Sequence, residues 1–241
     1  VRDLDWDGGL NVRDLGGLPV EGGGVTRWGA VVRAGNLDLL TGAGWAALHA
    51  YGVRTVVALR EAGERAAGVS RPAGVDVVHV PLDDTADTEF WYRCIDEEID
   101  GTPLYYRPFL ARNAERCAAA VAAVARARPG GVVVHCGIGR DRTGLVSLLL
   151  LALAGVTPDA IASDYALSAE RLRPYFAEAY AAHGDVIAAR MARHGVTVPD
   201  AIRAVLADQR PADWIAAGDV HAVRERLGRT TSSGSDGDGQ A

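Results

Sequence analysis

Val132-Val133-Val134-His135-Cys136-Gly137-Ile138-Gly139-Arg140-Asp141-Arg142-Thr143-Gly144 is the stretch that decides the fold. Three β-branched residues behind the turn signal Pro129-Gly130-Gly131 predict a short buried strand. Leu145 to Ala154 is almost wholly apolar, with Gly155 as its stop and Pro158 beyond, and predicts a helix enclosed by the rest of the fold. At about ten residues it is too short to span a bilayer.

The loop between strand and helix ends on a helix N-terminus. Backbone N–H groups there lack intrahelical partners and the macrodipole is positive, so anions collect at such places. Gly137 and Gly139 let the backbone curl until successive N–H groups converge as a nest. Arg142 can grip two oxygens of a tetrahedral dianion with its planar fork, as a lysine cannot. One Cys, five residues and one Arg therefore make a phosphate cradle with sulfur at its floor. The same field favours the ionised thiol, so Cys136 is expected to be a thiolate nucleophile, with the Thr143 hydroxyl placed to donate to it. Phosphoryl transfer through a cysteine is the chemistry this pattern implies.

Composition sets the bounds. The chain has 241 residues and is 49% hydrophobic, enough for one domain with a substantial core. Its 25 basic residues are all arginine, a coding bias of GC-rich bacterial genomes. A net charge of −6 argues against nucleic-acid binding, yet an acidic chain can still hold an anion, because distant charges are screened over roughly 8–10 Å. Cys94, Cys117 and Cys136 have no metal-ligand spacing, and a disulfide framework is not expected. No metal or cofactor is called for. With no apparent signal peptide or transmembrane run, the cytoplasm is the expected location, and secretion without a recognisable signal is the alternative.

Strand and helix signals alternate. Thr55-Val56-Val57-Ala58-Leu59 and Val75 to Val80 read as strands, with a polar segment between them that reads as a short helix. Thr41 to Tyr51 reads as a helix capped by Thr41, and Asn113 to Arg128 as an Ala-rich amphipathic helix. This alternation predicts an α/β fold with a mainly parallel central sheet flanked by helices. Residues 1–30 read as irregular or β-containing, and 159–227 as a helical C-terminal part broken near Gly184, Gly195-Pro199 and Pro211. Residues 85–110 gather Phe90, Trp91, Tyr92, Tyr105, Tyr106 and Phe109. They read as a packed aromatic face or, alternatively, as a lid or insertion over the phosphate site. Residues 230–241, rich in Ser, Gly and Asp, read as a disordered tail.

His135 to Gly144 resembles in full the His-Cys-x5-Arg-Ser/Thr-Gly signature of the cysteine-dependent protein tyrosine phosphatase superfamily. Asn11-Val12-Arg13-Asp14-Leu15-Gly16-Gly17, Arg33-Ala34-Gly35-Asn36-Leu37, Leu59-Arg60-Glu61 with Glu64-Arg65, and Asp164-Tyr165 resemble segments of its bacterial branch, which includes mycobacterial and listerial tyrosine and phosphoinositide phosphatases. The resemblance runs over roughly residues 5–225, in the same order. It implies a tyrosine-phosphatase-like domain over residues 1–229. It also implies a two-step mechanism in which Cys136 takes the phosphoryl group as phosphocysteine, Arg142 and the loop amides hold the equatorial oxygens, and water releases phosphate. The branch carries Lys where this chain has Arg140, and that Lys is associated with phosphoinositide activity.

The expected site is therefore Cys136, Arg142 and Asp141 for catalysis, with His135, Gly137, Ile138, Gly139, Arg140 and Thr143 binding substrate. Asp141, inside the loop, is the first choice of general acid, and Asp83 or Asp84, just past a strand end, the second. Expected substrates are a phosphotyrosine protein or, alternatively, a phosphoinositide or other phosphomonoester. A phosphopeptide reader without turnover is the third reading. Asn11, Arg13 and Asp14 are expected to tie the N-terminus to the loop, Arg60 and Glu64 to pair with each other, and Asp164 and Tyr165 to pack within a helix.

Overall fold

The computed structural model describes residues 2–64, 72–179 and 183–228. The tail at 230–241 and part of the polar segment before the fourth strand lie outside the described residues. A five-stranded sheet forms the centre, built from β1 (Arg13–Asp14), β2 (Val31–Ala34), β3 (Val53–Ala58), β4 (Asp76–His79) and β5 (Gly131–His135). Its spatial order is β1-β2-β5-β3-β4. β5 pairs in parallel with β2 and β3, β4 is parallel to β3, and β1 alone runs antiparallel, against β2.

The unbroken valines of β5 are explained by cover on both faces. Val132 and Val134 enter one core, beside Val31 and Val57, while Val133 enters the other with Val32 and Val56. The smaller core is closed by α1 (Gly42–Ala50) through Trp45 and Leu48, together with Trp6. Thr41 caps α1 as expected, accepting from the Gly44 amide at 3.2 Å. The larger core is filled by α2 (Thr88–Asp96), α3 (Tyr106–Ala125), α4 (Asp141–Leu153), α5 (Pro158–Arg171), α8 (Val198–Asp208) and α9 (Ala217–Leu227). Between α5 and α8 lie α6 (Arg173–Ala179) and α7 (His183–Arg193).

Two helix boundaries differ from the sequence expectation. α4 begins at Asp141, four residues before its apolar run, because the second half of the loop is wound into its first turn. α3 begins at Tyr106 rather than Asn113. Asn113 is a kink, with non-helical φ/ψ and a side-chain amide donating to the Phe109 carbonyl at 3.3 Å, so the reading started at the break. Phe90, Trp91, Tyr105 and Phe109 pack edge-on or tilted on one another, while Tyr92 faces solvent.

Candidate active site

Cys136 follows the central strand at its C-terminal end, where ligands of open α/β sheets bind. It is 3% exposed. Residues 137–140 carry the chain from there to the first turn of α4. Their carbonyls are tied outward. The Gly137 carbonyl accepts from the Asn36 amide at 2.7 Å, that of Ile138 from Asn11 Nδ2 at 3.2 Å, and that of Gly139 from both Asn11 Nδ2 at 3.0 Å and Arg33 Nη2 at 2.8 Å. No peptide bond here is cis. In a planar trans peptide the N–H points opposite to its C=O, so the amides of Ile138, Gly139 and Arg140 are aimed to the other side, into the loop. Asn11 and Asn36 thus produce the anion nest without facing it.

Gly139 is required twice over. Its φ is +72°, and a Cβ would lie 2.5 Å from the backbone of Ala34. Gly144 is required by packing, since a Cβ there would meet the Tyr165 ring at 2.7 Å and the Tyr106 hydroxyl at 2.9 Å. That hydroxyl donates to the Asp141 carbonyl at 2.6 Å and fixes the start of α4.

The N-terminal motif is anchored by a buried cluster. Asp164 on α5 receives Arg13 at 3.0 Å, Arg33 at 2.7 Å and Arg2 at 2.7 Å. Burial disfavours its charge, but Arg13, Arg33 and Arg2 outweigh that and hold the carboxyl far below the usual range. Arg13 also bonds the Asn11 side-chain oxygen at 2.5 Å, and so orients the amide that holds the loop. The expected tie between N-terminus and loop is therefore present. Asp164 exceeds the expected helix packing, because it neutralises arginines from two strands. Asp14 fastens the backbone of Gly16 and Gly29, each at 2.7 Å, and accepts from the Tyr51 hydroxyl.

Arg142 lies over the loop, with Nη2 3.8 Å from where a Cβ on Gly137 would be. Both oxygens of Glu64 grip its fork, at 2.5 and 2.6 Å, and Asp83 stands 3.4 Å from its Nε. Burial pulls its ionisation down, but Glu64, Cys136 and Asp83 more than compensate and raise it well above the ordinary guanidinium range. The expected Arg60–Glu64 side-chain pair is not formed. Arg60 binds Asp38 at 2.5 Å and only the backbone carbonyl of Glu64, at 2.9 Å, which frees the Glu64 carboxylate for Arg142. Asp38 carried no signal in the sequence, being one acidic residue in a short turn.

The two alternative acids separate. Asp83 is beside Arg142, and burial raises its carboxyl to about 6, against the pull of Arg142 and with a further push from Glu64, Glu61 and Asp141. Asp84 turns instead to Arg116, at 3.5 Å. Asp141 is held by Arg140, Nε to Oδ1 at 3.0 Å and Nη2 to Oδ2 at 3.3 Å. Arg140, expected to bind substrate, is buried, bonded also to the Gly101 carbonyl at 3.1 Å and stacked on Phe176. Next to a carboxylate and an aromatic face, its fork is satisfied inside the protein. Thr143, expected on the sulfur, is instead directed to the Ala34 carbonyl at 3.4 Å, because the helical first turn rotates it onto β2. The His135 ring is buried, with Nδ1 3.3 Å from the Cys136 carbonyl.

A cysteine at the end of a central parallel strand, an inward-facing amide nest and an arginine folded back over it define the class of proteins with a Cys-x5-Arg phosphate-binding loop. The comparisons narrow this. Residues 4–218 match the family described as the tyrosine phosphatase family, and the chain belongs to it. A protein of Cupriavidus necator named as a tyrosine-protein phosphatase is 33% identical over 188 residues, covering 70% of this chain and 64% of the relative. A tyrosine-protein phosphatase of Nostoc commune is 32% identical over 160 residues, covering 64% and 54%. The triple specificity protein phosphatase PtpB of Mycobacterium tuberculosis is 31% identical over 195 residues, covering 68% of each. The chain thus spans less than two thirds of the length of the first two relatives. Among the described residues no helix is long and apolar enough to cross a membrane.

Proposed function

We propose that the chain hydrolyses phosphotyrosine in proteins through a phosphocysteine on Cys136. The outward fastening of the loop carbonyls, which leaves an amide nest above a cysteine at the end of β5, is the observation that carries this reading. The Cys136 sulfur attacks phosphorus and the bond to the phenolic oxygen breaks. Arg142 and the amides of 138–140 stabilise the three equatorial oxygens as charge builds on them. Water then attacks the phosphocysteine, releasing phosphate and restoring the thiolate.

The departing oxygen needs a proton. We assign it to Asp141, fixed on the loop by Arg140 and by the first turn of α4. Asp83 is the second candidate, and its elevated ionisation near 6 suits a donor working close to neutrality. Substrate contact at the loop falls to Gly137, Ile138, Gly139, Arg140 and Thr143 through their backbone, with His135 supporting the turn. Engagement of the Arg140 side chain by Asp141 takes that guanidinium away from inositol phosphates, which supports the phosphotyrosine reading over the phosphoinositide one. Three unpaired thiols are compatible with action in a reducing cytoplasm.

Hydrolysis of nitrophenyl phosphate by wild type and by Cys136→Ser, with chelator present, tests the reading. Turnover by wild type alone is expected. Phosphate binding without any turnover would overturn it in favour of a phosphopeptide reader. A panel of phosphotyrosine peptides and inositol phosphates then separates the two substrate classes, with the peptides expected to be preferred.

A further inference from the structure

Arg140 joins two places. One is Asp141. The other is a partly enclosed cavity of about 410 Å³ that Arg140 also lines, inside the roughly 300–1,000 Å³ range of small-molecule sites. The cavity is walled by residues of α5 to α8, among them Ala169, Phe176, Ile187, Met191 and Val198. Among the described residues that line the space, Arg140 is the single charged one and nearly all the others are apolar. Tyr165 lines it as well. Its buried hydroxyl lies beside that of Tyr106 without a well-formed hydrogen bond. Apolar walls with one guanidinium match a particular chemistry: an apolar chain ending in a carboxylate. A cation would be repelled, and a neutral chain would leave the guanidinium unused.

We propose that this cavity binds a free fatty-acid-type amphiphile, with its chain among the α5–α8 side chains and its carboxylate on Arg140. The carboxylate competes with Asp141 for the same guanidinium. A second connection leads the same way. α7, one wall of the cavity, is fastened by Arg190 to the Asp100 carbonyl at 2.6 Å and by Arg193 to Glu98 at 2.5 Å, and the adjacent Gly101 carbonyl is the third partner of Arg140. Filling the cavity therefore bears on the clamp that holds Asp141. The site goes beyond the phosphatase reading and requires neither Cys136 nor turnover.

Titration calorimetry of the full chain with dodecanoate, below its micellar concentration, is the test. Saturable binding of one molecule per chain is expected in wild type and in Cys136→Ser. Dodecanol should bind about tenfold more weakly than dodecanoate, the difference a hydrogen bond to a charged group carries. Ala169→Trp, which fills the space, should weaken dodecanoate at least tenfold. Ala192→Phe repeats that test from another helix should the first variant not fold. Dodecanoate should also lower alkyl phosphate turnover, which needs the proton from Asp141, in wild type but not in Ala169→Trp. The proposal is overturned by an absence of saturable binding, by equal affinity for dodecanol, or by unchanged affinity in a folded cavity-filled variant. Adsorption to phosphatidylglycerol vesicles without dodecanoate binding also overturns it, in favour of a lipid surface. Dodecanoate binding by a chain that lacks turnover would refute the phosphatase reading and leave this site standing.

Discussion

Replacing Asp83 by Asn should stabilise the protein above neutrality and leave it unchanged in acid. The Asp83 carboxyl is 20% exposed and titrates near 6 in the folded chain against an ordinary 3.8, chiefly because it is buried. Below about 3.8 both folded and unfolded chains hold the proton, and the group contributes nothing. Between 3.8 and about 6 the folded chain binds more protons than the unfolded one, so stability falls as pH rises. Above that window the whole cost remains. Each decade corresponds to about 1.4 kcal/mol, which puts the cost at roughly 3 kcal/mol with the attraction to Arg142 already included. Asn keeps the shape and removes the charge. Urea unfolding of wild type and Asp83→Asn from about pH 3 to about pH 8 should give equal stabilities at the acid end and a gain of up to about 3 kcal/mol at the alkaline end. A difference that does not vary with pH, or a variant less stable than wild type at pH 8, would refute the reasoning.

Comparing Asp141→Asn with Asp83→Asn on alkyl and nitrophenyl phosphates identifies the proton donor. The donor's variant should lose on the order of 10²–10⁴-fold on the alkyl ester and far less on nitrophenyl phosphate, and we expect that pattern for Asp141→Asn. Gly139→Ala should abolish phosphate binding, because its Cβ would lie 2.5 Å from Ala34 and the loop would have to open; equilibrium binding of inorganic phosphate checks this. Asp164→Asn should cost about 3–5 kcal/mol in urea unfolding at pH 7, since it strands the buried charges of Arg13 and Arg33. Because the Asp164 carboxyl is depressed in the folded chain, its contribution is present above the ordinary 3.8 and lost as pH falls below it. Glu64→Gln should lower kcat/KM for an aryl phosphate about tenfold, equivalent to about 1.4 kcal/mol, by loosening the Arg142 fork; steady-state kinetics measure it.

What could be read from the sequence followed chain distance. The strand of three valines, the glycine-bearing loop, the apolar helix after it and the Thr41 cap are each decided by residues within a turn or two of one another. They stand where propensity and periodicity put them, save that the helix starts four residues early, at Asp141. The partners of the charges could not be read that way. Arg140 carries the same charge whether it faces the mouth of a site or lies under it, and only the position of Phe176 and the Gly101 carbonyl makes the buried arrangement the satisfied one. Glu64 is near Arg60 in sequence but meets Arg142, because a short 3₁₀ turn (Ala62–Glu64) turns its carboxylate toward the loop. Asp164 reads in the sequence as a residue of helix packing. Its three arginines come from positions 2, 13 and 33, and nothing local foretells that they converge.

That convergence bears on what makes the loop an anion site. The signature residues supply sulfur, fork and glycines, but a five-residue loop with those side chains could equally fold with its carbonyls inward and repel a phosphate. The direction is decided from behind. Asn11 and Arg33 take the carbonyls of Ile138 and Gly139, and each of the two is held by the Asp164 cluster, Arg33 directly and Asn11 through Arg13. A carboxylate on α5, which takes no part in the cradle's own hydrogen bonds, thereby controls whether the amides in front can receive an anion. On this reasoning Asn11→Ala, which leaves every signature residue in place, should weaken phosphate more than it destabilises the fold. The buried cluster keeps Arg13 and Arg33 paired, while the Ile138 carbonyl loses the donor that turns it outward and that of Gly139 keeps only Arg33.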